Sequence, residues 1–505
     1  MRIDGESHEH ADTGDGSDAA FSEVQAKLGA AWSLNKPGVE TNHVLIVLPS
    51  YSIGESLLSH YADRIASLEH RFLVAFLMLD RIPGCEMVFL TSEAPSDEVI
   101  DYYCSLVPPD RRQDVRRRFR VMVVPDSSAQ AVATKLLRRK DLMEELRGWV
   151  GGRPALIEPW NVTGDEVCVA TQLGVPINGT DPALWPLGYK SAGRKLFAAA
   201  GVPAPFGCED VRTVDDVVAA VTSLRASRPQ ASGVVIKHDN SGAGDGNVVL
   251  RFRGEDESGL RETVEALPDW YLRDLRLGSV VEELVTGEAF ASPSVQVDIS
   301  PFGEVSVLST HEQLLGGEDG QVYMGCRFPA DPGYAAEIAA HGAALGRELA
   351  GRGAIGRLSV DFAAARDAGG RWSVYALEIN LRKGGTTHPY AVLRNLVTGR
   401  YDTGSGCWMA PDGTPRFYVS TDNLVDDAWL DLPATDVIEA VSRADLSYNH
   451  GSGTGVVLHM FTGLQIDGRV GLTAIGCSRD HADDLREASR AAIDACAASS
   501  TARGS

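Results

Sequence analysis

Residues 356–380, GRLSVDFAAARDAGGRWSVYALEIN, decide the fold. Two runs read as strands, RLSVDFAAA and WSVYALEIN, flank ARDAGGR, a loop composition suited to a hairpin. A turn centred between Gly369 and Gly370 sets Asp361 opposite Glu378. Glu378 and Asn380 are two apart, so they share one face of their strand. Val360, Phe362, Leu377 and Ile379 then point to the other, buried face. Three oxygen-bearing side chains on one patch are hard ligands of the kind Mg²⁺ takes, and Mg²⁺ commonly completes its shell with phosphates.

Upstream lie the groups that phosphates need. Lys237 ends the apolar run VVIK, and the Gly-rich stretch NSGAGDGN follows at once. Around Ser241, Gly242 and Gly244 the backbone N–H groups are free to wrap an anion. Lys190, in GYKSAGRK, precedes a helix, where a cation and a helix N-terminus face the same way. No P-loop pattern is present. VVEELVTGE, with two acids on a strand and another past a turn, offers backbone groups to a purine edge and Glu288 to ribose hydroxyls.

The rest of the chain reads as three further pieces. From Thr41, short apolar runs (HVLIVLP, EMVFLTS, FRVMVVP, RPALIEPW) alternate with helical stretches at Asp97–Leu106, Arg111–Arg120 and Ala129–Trp149. That order predicts a parallel sheet with helices on its faces. Residues 334–352 read as a helix with an Ala-rich face. FYVSTDNL, GTGVVLHMF and VGLTAIG, with a helix at His481–Ala497, read as a small mixed module. The predicted units are 41–180, 181–405 and 406–496. Residues 1–40 are read as poorly ordered and 497–505 as a flexible tail.

Composition excludes several classes. The 505 residues carry 47 basic and 69 acidic side chains, a net charge of −22. Such a surface repels phosphate backbones, so a nucleic-acid partner is not expected. The basic run Arg111–Arg120 reads as a solvated helix face. No run of about 18 apolar residues spans a membrane, and the first residues lack the pattern of a secretory signal. The eight cysteines are scattered, without zinc spacing, and read as reduced, buried thiols of a cytoplasmic protein. Cys326 reads as a buried thiol, and His311 and His459 as core histidines.

Lys190, then VVIK with its Gly-rich loop, then EELVTGE, then Asp361 with Glu378-x-Asn380 resembles the ATP-grasp superfamily over about residues 181–405. A narrower resemblance runs over about 41–490. VIDYYCSLVP, GTDPALWPLGYKSAGRKLFAAAGVPAP, GQVYMGCRFPAD, EINLRKGGTTHP, STDNL and GVVLHM look like the pheganomycin-type peptide ligases. The resemblance implies an N-terminal α/β pre-ATP-grasp domain, a two-lobed α+β ATP-grasp core and a family-specific C-terminal module. It implies ATP and Mg²⁺ as cofactors. Lys190 and Lys237 would hold the phosphates, and Glu282, Glu283 and Val285 the adenine, mostly through backbone. Glu288 would hold ribose, and Asp361, Glu378 and Asn380 the Mg²⁺. Arg382, on the same face two residues past Asn380, would meet the acyl phosphate and the tetrahedral intermediate. D-alanine–D-alanine ligases carry arginine two residues before the aspartate. Here that position is Ser359, and Arg357, two further back on the same face, is the candidate for its task.

The implied reaction activates an amino-acid-like carboxylate as an acyl phosphate, which an amine or a peptide N-terminus attacks. Phosphoryl transfer needs positioning and charge neutralisation, and the developing oxyanion needs a cation such as Arg382. The amine must arrive unprotonated, so His388 and Glu312 are candidate bases. Two alternatives are a different nucleophile (a small amine, ammonia or a hydroxyl) and a nucleotide-binding regulator without turnover. Superfamily relatives are often dimers, and a homodimer is among the expectations.

Overall fold

The computed structural model describes residues 15–52, 58, 61–241, 246–252, 254, 256–316 and 322–504. Its first sheet holds β1 (His43–Leu48), β2 (Cys85–Thr91), β3 (Phe119–Val123) and β4 (Ala155–Pro159), all parallel, in the order β3-β2-β1-β4. All six β1 residues are buried, as a continuous apolar run between two helical layers requires. Each such Val, Leu or Ile contributes about 1.5–3 kcal/mol by leaving water. The strand order reverses between β1 and β4. Open α/β sheets take ligands outside the carboxyl ends of strands at such a switch. Tyr51 follows β1 there and Trp160 follows β4, with ring centroids 4.5 Å apart.

The second sheet is antiparallel: β5 (Gly207–Val211), β6 (Gly233–His238), β7 (Asn247–Arg251) and β8 (Ser279–Glu283), in the order β5-β8-β6-β7. The third has eleven strands. They are β9 (Ala289–Ala291), β10 (Pro293–Ile299), β11 (Val305–Gly316), β12 (Val322–Phe328), β13 (Gly356–Arg366), β14 (Trp372–Asn380), β15 (Arg400–Asp402), β16 (Cys407–Met409), β17 (Pro415–Val425), β18 (Gly455–His459) and β19 (Arg469–Gly476). Its path runs β14-β13-β10-β11-β12-β17-β16-β15, with β9 on β13, β19 on β17 and β18 on β19. The C-terminal strands are therefore not a separate sheet. β17 pairs with β12 through Cys326–Ser420, Arg327–Val419 and Phe328–Tyr418, and extends the core.

Several sequence expectations need correction. Residues 15–34 are not disordered but form the helices Asp15–Gln25 and Leu28–Leu34. Phe21, Val24, Leu28 and Ala31 recur at helical spacing and are buried. Gln25 binds both backbone groups of Ile177, donating from Nε2 at 3.1 Å and accepting at Oε1 at 2.7 Å. The charged residues around this stripe hide it from a composition reading. The expected tail is helical too: one helix runs Arg479–Gly504, with Ala497 buried. The helix expected at Ala129–Trp149 is two, Val132–Leu137 and Lys140–Val150. That expected at Arg111–Arg120 is only Arg112–Arg117, because Phe119 already starts β3. Among the described residues no helix is long and apolar enough to cross a membrane.

Candidate active site

The β13–β14 hairpin pairs Asp361 with Glu378 and Ser359 with Asn380, as the sequence predicts, but by a different route. At the loop end the register is one residue off, with Arg366 opposite Trp372. A bulge between the Asp361–Glu378 and Phe362–Ala376 pairs inserts Leu377 and restores the expected pairing at the open end. The bulge corrects one expectation: Leu377 is only half-buried, and Val374 and Ala376 fill the core face instead, beside Val360, Phe362 and Ile379.

Asp361 is half-buried, and its oxygens accept bonds at 3.0 Å from Gln313 Nε2 and Asn380 Nδ2. Burial, then the charge of Glu378, pushes its carboxyl up to about 6. Two adjoining carboxylates and an amide that still has its carbonyl oxygen make an all-oxygen donor set, and their mutual repulsion is what a divalent cation would relieve. These residues fit Mg²⁺. Gln313, on β11, escaped the sequence reading because only the β10–β11 pairing brings it here.

Lys190 opens the helix Lys190–Ala200 and is 7 % exposed. Its Nζ donates to Ser241 O at 2.8 Å and Ser241 Oγ at 3.1 Å, and lies 3.7 Å from Glu378 Oε1. It thus spans from the β6–β7 loop of the second sheet to the hairpin of the third. Burial lowers its pKa, and Glu378 opposes that. Gly242 and Gly244 lie outside the described residues.

Lys237 is placed differently from the expectation. Its Nζ donates to Glu282 Oε2 at 2.7 Å, and Arg194 Nη1 donates to Glu282 Oε1 at 2.8 Å. Glu282, 2 % exposed, sits mid-ladder between Gly207 and Val235. Glu283 N–H is spent on Phe206 O at 2.7 Å. The segment still open for a purine edge is therefore the one holding half-buried Val285, past the end of β8. Glu288 is exposed, and its N–H donates to Arg366 O at 2.9 Å.

Of the two candidate arginines, Arg382 is the one that feels the charge of the Asp361 and Glu378 carboxylates, without an ion pair to either. It is half-buried; burial lowers its pKa, while Glu378 and Asp361 raise it. Its guanidinium lies over Trp160, 4.7 Å from the ring centroid, a cation–π contact. Arg357 instead faces Asp298, its Nε 3.5 Å from Oδ1 and without a hydrogen bond. A small cavity beside both is lined by Trp160, Asn161, Arg357, Arg382 and Lys383 among others, and no acid lines it.

Neither candidate base is placed for the task. His388 is 2 % exposed, with Nε2 3.0 Å from Asp422 Oδ1, and burial holds its pKa down to about 4. Glu312 Oε1 accepts from Asp331 N at 2.8 Å and Tyr334 Oη at 2.5 Å. His311 and His459 are fully buried core histidines, and burial pushes the Cys326 thiol up to about 12.

Known proteins resemble the chain at three levels. The family model described as the PGM1 C-terminal domain matches residues 436–489. The L-propargylglycine–L-glutamate ligase of Streptantibioticus cattleyicolor is 32 % identical over 455 residues, covering 86 % of this chain and 92 % of that protein. Among solved structures, the biotin carboxylase domain of Hydrogenobacter thermophilus 2-oxoglutarate carboxylase, bound to MgADP, ADP and bicarbonate, matches with a TM-score of 0.51 and 14 % identity over 89 % of each chain. An ADP complex of N5-carboxyaminoimidazole ribonucleotide synthetase matches with a TM-score of 0.50 and 15 % identity, over 91 % of this chain and 98 % of that one. At such identities the last two show a common fold.

Proposed function

The chain belongs to the ATP-grasp superfamily, with the pheganomycin-type peptide ligases, and on that footing we propose that it joins an amino-acid-like carboxylate to an amine or a peptide N-terminus, releasing ADP and phosphate. The observation that carries this reading is one face: Asp361, Glu378 and Asn380 on the hairpin, with Lys190 Nζ 3.7 Å from Glu378 and Arg382 within the influence of both carboxylates.

The substrate carboxylate attacks the γ-phosphorus of ATP, ADP leaves, and an acyl phosphate forms. The amine nitrogen then attacks the acyl carbon, the C–N bond forms and phosphate departs. Asp361, Glu378 and Asn380 would hold Mg²⁺, which when bound neutralises charge on the phosphates. Lys190, tethered to Ser241, faces the same phosphates. Lys237 and Arg194 fix Glu282 and so the strand that leads into the Val285–Glu288 segment. Arg382, held over the Trp160 ring, donates to the oxyanion of the tetrahedral intermediate. The amine's proton has the departing phosphate as its acceptor. Among the described residues the cysteines form no disulfide, and although Cys168 and Cys477 are exposed rather than buried as expected, that fits a reducing cytoplasmic setting.

The test is ADP release with Mg²⁺-ATP and a panel of amino and guanidino acids crossed with amines and short peptides, with mass spectrometry of every positive well. Substrate-dependent ADP with an amide product is expected. An ester or a primary amide would point to another nucleophile, and ATP binding without ADP from any pair would sink the ligase reading.

Lys190→Met is expected to weaken MgATP binding about 10–100-fold, the loss of a charge-assisted hydrogen bond worth roughly 1.5–3 kcal/mol. Titration calorimetry reads it, and an unchanged Kd would remove Lys190 from the phosphate site.

A further inference from the structure

Asp422 on β17 gathers side chains from three distant parts of the chain. Arg71 Nη2 lies 2.9 Å from its Oδ2. Its Oδ1 lies 2.8 Å from His459 Nε2 on β18 and 3.0 Å from His388 Nε2 on the helix Thr387–Leu396. Asp422, His388 and His459 are 4 %, 2 % and 0 % exposed. The two rings meet edge to face with centroids 4.8 Å apart; both Nδ1 atoms and His388 Nε2 are buried without a hydrogen bond, so His388 meets Asp422 as a close contact while His459 is hydrogen-bonded to it. A buried ionic cluster with orphaned ring nitrogens is a poor source of stability, since apolar side chains of equal volume often serve a fold as well or better. Its position suggests another use.

The chain leaves β14 at Asn380 and enters the helix at Thr387, and Arg382 lies between. Two anchors hold the near end of this link. Lys383 N–H donates to Trp160 O at 3.1 Å, and Lys383 Nζ lies 2.6 Å from Glu158 Oε1. The middle is Gly384-Gly385, without side chains to hold it, and Gly385 sits so close under the Tyr323 ring that a Cβ would lie 2.6 Å from it. At the far end Gln296 Nε2 donates to Thr386 O at 2.8 Å and its Oε1 accepts from Thr387 Oγ1 at 3.3 Å, and His388 follows, 3.0 Å from Asp422.

We propose that Asp422 and His459 are positioning residues: through His388 they hold the start of the helix Thr387–Leu396 and so set Arg382 against the Asp361–Glu378 face. Arg71, which follows the helix Ile65–His70 of the N-terminal unit, makes that unit part of the same clamp. Arg382's chemical role here rests on the ligase reading, but the clamp does not.

The test uses Asp422→Asn and His459→Gln in the full-length chain. Hydrogen exchange by mass spectrometry compares peptides covering residues 381–390 with those covering β1 and β2. ADP release is measured with whichever panel pair the wild type turns over fastest. Asp422→Asn is expected to speed exchange in 381–390 at least tenfold with β1 and β2 unchanged. It is expected to lower kcat 10–100-fold with KM for ATP within twofold. His459→Gln is expected to do the same to a smaller degree, and it carries the test if Asp422→Asn, which leaves buried Arg71 without its counter-charge, fails to fold. Unchanged exchange in 381–390 would overturn the clamp. So would a lower melting temperature with wild-type kcat per folded molecule. One equivalent of a transition metal in the purified wild type, lost from both variants, would overturn it in favour of a metal centre. A wild type silent across the panel would remove the ligase reading, and the exchange data would still decide the clamp.

Discussion

Glu378→Gln is expected to release ADP at a thousandth of the wild-type rate or less, while melting no lower than the wild type by more than a few degrees. The substitution keeps the shape of the side chain and removes one charge. On the reaction side, it takes a carboxylate from the Mg²⁺ donor set, and a thousandfold loss corresponds to about 4 kcal/mol of transition-state stabilisation. On the folding side, it removes a repulsion. Glu378 is one reason the Asp361 carboxyl is pushed up to about 6, so Asp361 ionises more readily beside a glutamine. The cost is the attraction to Lys190 at 3.7 Å, a weaker contact than that lysine's bonds to Ser241. Mg²⁺-ATP is expected to raise the wild-type melting temperature and to raise the variant's much less, because a ligand stabilises only what it binds. Calorimetry with and without nucleotide, beside the ADP assay, reads both halves. A variant retaining a tenth of wild-type activity would remove Glu378 from the metal site.

Acid is expected to unfold the chain between about pH 5 and pH 4. Burial holds His70 and His388 down to about 4 and His311 to about 3. In the unfolded chain each takes a proton below about 6.5, while in the folded chain each stays neutral until near pH 4. Their stabilisation is therefore complete above pH 6.5 and is lost as pH falls through the window to 4. From pH 7 to pH 5 each loses about 2 kcal/mol, together ~6 kcal/mol, as large as the whole stability of many domains. Asp361, raised to about 6, and Glu69 and Glu166, whose buried carboxyls are also raised, gain stability as pH falls through the same range and offset part of the loss. Asp422, held well below the usual carboxylate range by Arg71 and its histidines against burial, adds a further loss only below about pH 4. A melting curve taken at half-unit steps tests this. A melting temperature flat down to pH 5 would contradict the burial of these rings.

The sequence carried the site better than the surroundings. Asp361, Glu378 and Asn380 were legible because a hairpin converts spacing into facing, and the loop composition set the spacing to within one residue. The residue of error, absorbed by Leu377, had no local signal. Lys237 was legible as a lysine at a strand end, but its partner Glu282 lies on a strand 45 positions away, and only the β6–β8 pairing joins them. His388 was a candidate base only because the amine must arrive unprotonated. Its burial depends on β17 and β18, whose path into the core sheet no periodicity announces. The helices at 15–34 were missed for the opposite reason: their apolar stripe is visible, but charge dilutes it in any average over the segment.

The continuity of β12 with β17 has a consequence for synthesis. A ribosome that has just released Asn380 has made Lys190, Asp361, Glu378 and the rest of the hairpin, yet β12 then has a bare edge. An uncovered strand edge is a template for any passing chain. Protection comes only when β17 arrives, and β19 must then seal β17 in turn. The nascent polypeptide thus holds its reactive face before it holds a closed sheet, and the interval between them is the stretch of translation in which a chaperone has most to protect.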